Sequence, residues 1–198
     1  MNIKYYIVLM VSLFIVGCAN TKITENWVDE NHHKPYKRPM IIGVSDSQQT
    51  RQMFEKHFVA ELKKISVTAI PSYQLINSKQ KMNRETVIAA IEGKDIDAVI
   101  VTYLISSETK VKHHESPLSH NYIGDIEDGK ISETLVATRG RSSNSEIVTL
   151  KNDVYDAASR SLVWTVQTRT VAPESIDEVV TDVVELLTSQ MLSDNVIK

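Results

Sequence analysis

Cysteine occurs only once in the 198 residues, at Cys18, so no internal disulfide can form. A domain built from this chain must therefore rest on its hydrophobic core. Glycine (6) and proline (5) are sparse, and neither an internal repeat nor a low-complexity tract is visible. With 42% hydrophobic and 24% charged residues, disordered, collagenous and polytopic chains are excluded. No apolar run reaches the roughly 20 residues that a membrane-crossing helix needs. Basic excess is lacking too: 22 Lys and Arg stand against 25 Asp and Glu. Without a positive field, nucleic acid is not expected as a partner.

What the chain does have begins at its first residues. Lys4 and the amino terminus supply a short positive region, and Ile7 to Val16 supply an apolar stretch interrupted only by Ser12. Gly17 is the small residue before a cut. Together, residues 1–17 read as an export signal. Ile15-Val16-Gly17-Cys18 resembles a bacterial lipobox, in which cleavage between Gly17 and Cys18 leaves the cysteine carrying diacylglycerol. That resemblance implies a lipid-anchored (palmitate-bearing) protein. Each buried methylene contributes about 0.8 kcal/mol, so two or three acyl chains hold for a long time. Residue Ala19 follows the cysteine where Asp would favour inner-membrane retention. The resemblance therefore implies the periplasmic face of the outer membrane.

Residues 18–38 are polar and read as a tether, docked onto the body by Trp27 and Tyr36. Residues 39–198 read as one periplasmic domain. Met40 to Val44 is a short apolar run, suited to a strand buried on both faces. Ser47 caps a helix to about Lys64, with Phe54, Phe58, Leu62 and Ile65 along one face. Val67–Ile70 reads as a second strand stopped by Pro71. Asn83 caps a helix through Glu92, which Gly93 closes. The β-branched run Ala98–Ile105 reads as a central strand.

Residues 108–130 lack periodicity and read as a long loop or irregular hairpin extension. Strands are expected over 131–138, 147–155 and 162–168, with turns over 139–144 and 156–160. Ser175 and Glu178 form a capping-box pattern opening a last helix. Its stripe is Ile176, Val179, Val180, Val183, Leu187 and Met191. The expected class is a single α/β domain with a mixed sheet and the order β-α-β-α-β-β-β-α.

That order behind a lipobox is similar to several periplasmic lipoprotein domains. They are the amino-terminal domain of the Tol-system translocation protein, the penicillin-binding-protein activator lipoproteins and the periplasmic part of the curli-secretion lipoprotein. The run Asn152 to Trp164 (NDVYDAASRSLVW) resembles a hairpin of such domains, with the Trp packed under the sheet. Pro71-Ser72-Tyr73 and Asp97-Ala98-Val99-Ile100-Val101 resemble pieces of an uncharacterised bacterial envelope lipoprotein family. The resemblance implies an envelope assembly module and transfers no catalytic residue.

The search for chemistry finds no catalytic constellation. Gly-x-Ser-x-Gly is absent, calcium-loop spacing is absent, and the lone Cys is taken by lipid. Two histidine groups raise a metal reading: the pair His32-His33, and His113, His114 and His120 with Glu115 in the 108–130 loop. Adjacent histidines point apart, so no metal site is expected, although this loop is the place for one. His32, His33 and His57 read as surface residues. Asp95 with Asp97, and Asp125 with Glu127 and Asp128, read as loop charges.

Val111, Leu118, Tyr122 and Ile123 give the 108–130 segment an amphipathic mix suited to a partner surface. The expectation is a non-enzymatic envelope interaction module without cofactor, docking on another envelope protein or on copies of itself. The alternatives are a small-ligand or lipid carrier, with a pocket between sheet and helices, and metal binding through the histidine loops.

Overall fold

The computed structural model describes residues 21–77, 80–113, 142–171, 173 and 175–198. Among these lie six strands: β1 (Thr21–Val28), β2 (Pro39–Gly43), β3 (Ile70–Pro71), β4 (Ala98–His113), β5 (Ser142–Asp156) and β6 (Leu162–Val171). Three α-helices accompany them: α1 (Gln48–Lys64), α2 (Arg84–Ile91) and α3 (Ile176–Ser193). The strands form one mixed sheet in the order β1-β6-β5-β4-β2-β3, with β2 parallel to β3 and β4 and all other pairs antiparallel. The α/β class with a mixed sheet is the one the sequence pattern implies.

The crossovers explain the layering. The chain leaves β2 for β3 on one side, then returns past β2 to reach β4. Right-handed crossovers in opposite directions put α1 and α2 on opposite faces. On the first face, Ile41, Ile100, Val154, Trp164 and Val166 meet Phe58 and Leu62 of α1 and Val183, Leu187 and Met191 of α3. On the second, Met40, Ile42 and Val99 meet Ile76, Ile96 and the inner side of α2 at Val87 and Ile91. Every residue of β2 is buried, as a strand covered on both faces must be. Gly43 is required there, because an added Cβ would lie 2.9 Å from Phe54 Cδ1.

All three helix starts are capped at the residues the sequence nominates. Ser47 Oγ accepts from Thr50 N–H (3.2 Å), Asn83 Oδ1 from Thr86 N–H (2.9 Å) and Ser175 Oγ from Glu178 N–H (3.1 Å). Gly93 has φ of +70°, the left-handed conformation that glycine adopts without strain.

Several expected boundaries move. Thr21–Val28 is no tether: it is an edge strand antiparallel to β6. Within the expected tether, Tyr36 is buried and does dock on the body, whereas Trp27 is 47% exposed. The strand expected over 67–70 is reduced to Ile70–Pro71. The reason is that Ile65, Ser66 and Val67 donate their N–H groups to carbonyls of the last α1 turn, with Ser66 at φ 67°. Of the two readings for this stretch, residues 108–113 follow the hairpin extension and not the loop, since their backbone pairs with 142–147 and extends β4. Ser142–Asn144 likewise belong to β5 rather than to a turn. The strand expected over 131–138 lies outside the described residues.

Candidate docking face

On β5 the alternation of side chains sends Asn152 and Val154 toward the helices and Lys151, Asp153 and Tyr155 to the opposite face. β4 contributes Val101 and Tyr103 to that second face, β6 contributes Thr165, Gln167 and Arg169, and β1 contributes Glu25 and Trp27. α2 packs over the β2–β4 half of it. Among the described residues no helix packs on the β5-β6-β1 half.

Asp153 organises this open half. It is 2% exposed although, among the described residues, no helix packs on its half of the face. Oδ1 accepts from Thr165 Oγ1 (2.5 Å), its cross-strand partner, and Oδ2 accepts from Tyr103 OH (3.1 Å) and Tyr155 OH (3.4 Å). Lys151 Nζ stands 3.6 Å from Oδ2 and 5.9 Å from the centre of the Tyr103 ring. Contact with the Tyr103 hydroxyl raises the Lys151 ammonium pKa, burial opposes the rise, and the charge of Asp153 adds to it. Burial, then the charge of Asp153, raises the Tyr155 hydroxyl.

A buried carboxylate is tolerated when hydrogen bonds and an opposite charge compensate it. Both conditions hold here, so its oxygens are committed to holding two tyrosines and a threonine in place. Next to it, Gln167 donates to Glu25 and Trp27 lies opposite Thr165. The result is a polar platform with aromatic rings and cations, held in place by hydrogen bonds to one buried carboxylate. The sequence alternation of Lys151, Asp153 and Tyr155 signals an outward row, but nothing local reveals that Asp153 is buried.

A separate cleft of about 400 Å³ lies at the end of the sheet where β1 and the β5–β6 turn finish. Its lining includes Asp29, His32, His33, Tyr36, Asp156 and Ser159. The Tyr36 hydroxyl donates to Asp156 Oδ2 (3.0 Å), and the His32 and Tyr36 rings lie 5.0 Å apart. Burial, followed by the charge of Asp156, pushes the Tyr36 hydroxyl well up. Burial alone would raise Asp156, but hydrogen bonds from Ser159 and Tyr36 outweigh it and hold the carboxyl below its ordinary value.

The residues nominated from sequence fall elsewhere. Gly17, Cys18, Leu118, Tyr122, Ile123, His114, His120, Glu115, Asp125, Glu127 and Asp128 lie outside the described residues. Val111 and His113 are in β4, with their backbone opposite Asn144 and Ser142. His57 Nε2 stands 4.0 Å from Asp177 between two helices. Asp97 is no loose loop charge: it accepts the N–H groups of Lys37 (2.7 Å) and Arg38 (3.0 Å) at the entry to β2. Asp95 pairs with the Arg38 guanidinium at 2.9 Å. Among the described residues no three His, Cys, Asp or Glu converge as a metal would require.

No family model matches the chain, and no curated protein matches it. Solved structures do. A PelC dodecamer from Paraburkholderia phytofirmans is 7% identical with a TM-score of 0.48, covering 90% of this chain and 99% of that one. Lipoprotein GNA1162 from Neisseria meningitidis is 11% identical at 0.43, covering 79% and 98%. A minor lipoprotein from Acinetobacter baumannii is 9% identical at 0.40, covering 84% and 98%. Two of these three are bacterial lipoproteins by description. Likenesses this distant assign no function and no partner to this chain.

Proposed function

We propose that this chain is a lipid-anchored envelope protein, held through Cys18 at the periplasmic face of the outer membrane, and that it works by docking rather than by catalysis. Its partner is another envelope protein or a second copy of itself. The observation that carries this reading is the buried Asp153, whose hydrogen bonds fix Tyr103, Tyr155 and Thr165 where, among the described residues, the β5-β6-β1 half of the sheet face has no helix over it. A preformed polar–aromatic platform binds with little loss of side-chain freedom. Non-enzymatic action accords with the absence of a nucleophile–base pair in the sequence and with a carboxylate already engaged by hydroxyl donors.

The carrier alternative requires room between sheet and helices. Phe58, Leu62, Trp164 and Leu187, each inaccessible to solvent, occupy that layer. The metal alternative rests on His113, His114 and His120; zinc titration giving neither heat nor a rise in melting temperature would dismiss it.

The docking reading is tested by placing a photo-crosslinking amino acid at Trp27 or Gln167 in the native host, with Lys63 on α1 as control. A discrete adduct is expected from the face positions and none from the control. Twice the protein mass identifies a second copy, and any other mass a different partner. Well-accumulated protein that yields no adduct from either face position overturns the reading. Mass spectrometry of native Cys18 tests the anchor separately.

A further inference from the structure

We propose that copies of this chain stack head to tail, the acidic outer side of α3 in one copy seated on the open β5-β6-β1 half of the sheet in the next. The inference rests on the docking reading and names its partner as a second copy.

The outer side of α3 is acidic. Val180, Val183, Leu187 and Met191 are buried against the sheet, and Asp182, Glu185, Ser189 and Leu192 lie on the opposite side at steps of three, four and three. No Lys or Arg occurs in Ile176–Ser193. Lys64 of α1, which the charge of Glu185 reaches, is committed to Glu61 (2.5 Å). Leu192 closes the row as an exposed apolar residue.

The sheet face carries the complement. Lys22 stands directly opposite Arg169, and like charges so placed destabilise a strand pair. Among the described residues neither forms an ion pair. Glu25, one row on, is engaged by Gln167, and Asp153 is buried beside Lys151. The strand registers give β1, β6, β5 and β4 together Lys22, Arg169, Lys151, Lys110 and Lys112 on this face against Glu25, Asp153 and Glu108. The face is thus net basic on a chain that is net acidic. Trp27, itself exposed, ends the row on β1.

The spacings match. α3 runs along β1, with the Thr21 hydroxyl at Asp182 (3.3 Å) and the Asn26 amide at Asp194 (3.1 Å). From Asp182, residues Glu185, Ser189 and Leu192 lie about 4.5, 10.5 and 15 Å along the helix. From Thr21, the Lys22–Arg169, Glu25–Gln167 and Trp27–Thr165 rows lie about 3, 10 and 16 Å along the sheet. A copy placed on this face in the same orientation therefore sets Asp182 and Glu185 at the cation pair, Ser189 at Glu25 and Leu192 at Trp27. Carboxylates meet the unpaired cations, and no acid meets Glu25. α2 adds a helix layer of about 10 Å on the other half of the face, so successive copies tilt about an axis along the strands. A contact between two different surfaces then continues into a ring or a filament and does not stop at a pair.

The test places benzoylphenylalanine at Trp27 of the full chain in its native host and maps the adduct by peptide mass. The adduct is expected on the α3 segment of a second copy. Lys22→Glu with Arg169→Glu should lower its yield at least ten-fold, and so should Asp182→Asn with Glu185→Lys. Co-expressing the α3 variant, carrying the probe, with the sheet-face variant joins an intact face to an intact α3 and should restore the yield to within about two-fold of native. An adduct on the same sheet face of a second copy, an adduct only to a different protein, or no recovery on co-expression overturns the proposal. The adduct to a different protein leaves the docking reading standing, whereas no adduct at all removes both.

Discussion

Glu55 shows how much a single buried charge can organise. It is inaccessible to solvent on α1, and Oε1 accepts from Gly43 N–H (3.1 Å), Arg51 Nε (2.9 Å) and Ser72 Oγ (2.6 Å). Oε2 accepts from Tyr73 N–H (3.0 Å). The side chain thus ties the end of β2 to the segment after β3, where the two strands send the chain to opposite faces. Glu55→Ala leaves Arg51 and two backbone donors without their acceptor, and removing one member of such a buried pair costs about 3–5 kcal/mol. At about 2–4 °C per kcal/mol for a chain of this size, the melting temperature should fall by roughly 10 °C or more. A calorimetric shift of under about 2 °C would show that the cluster is dispensable. In the sequence, Glu55 is merely the polar neighbour of Phe54, because its acceptor role depends on strand ends 12 and 17 residues away. Tyr36 and Asp156 supply a pH signature. The Tyr36 hydroxyl is raised in the folded state above its ordinary 10.0, so its stabilisation is complete below that pH and declines as pH rises above it. Asp156 is lowered from 3.8, so its contribution is present above that value and is lost as acid protonates the folded carboxylate. Tyr36→Phe should flatten the alkaline decline and shrink the acid one. Urea midpoints from about pH 3 to pH 11 check both limbs, and an unaltered alkaline limb would contradict the assignment.

Among the elements, the helices were legible because capping and periodicity are local signals. Ser47, Asn83 and Ser175 each sit where a side-chain oxygen meets an N–H three residues on. Replacing Ser175 with Ala should cost about 1 kcal/mol and lower the melting temperature by about 2–4 °C, readable by calorimetry. β1 was not legible, for a physical reason. A bulge between Ile23 and Glu25 breaks the two-residue alternation, so the positions on its helix-facing side fall at Thr21, Ile23, Asn26 and Val28. Asn26 and Thr21 are satisfied only by distant residues, Asp194, Thr170 and Asp182, which no window of sequence contains. Asp194 closes this clasp, accepting also from the buried Trp164 indole (2.8 Å) and from Gln190 (2.9 Å). Asp194→Ala should therefore loosen the edge strand before the centre of the sheet. Hydrogen exchange of residues 21–28 is expected to accelerate at least ten-fold while residues 147–155 keep their protection. Uniform acceleration across the sheet would mean that Asp194 supports the whole fold rather than the edge.

For the whole molecule, class and element succession could be read from pattern, while the open face could not. The order β1-β6-β5-β4-β2-β3 follows from long-range pairing, and only that order brings Tyr103, Asp153, Thr165 and Trp27 onto one surface. The same order ties orientation to the tether, since β1 is at once the strand nearest Cys18 and an edge of the sheet. Inserting about 20 Gly/Ser residues between Cys18 and Thr21 gives a root-mean-square span of roughly 25 Å, against at most about 11 Å for the native link. Acylation and melting temperature should not change, because no packed residue is touched. Adducts from Trp27 should persist, because the docking face is built by the body and not by the link. Loss of those adducts on lengthening would show instead that the face reaches its partner only at the native distance from Cys18.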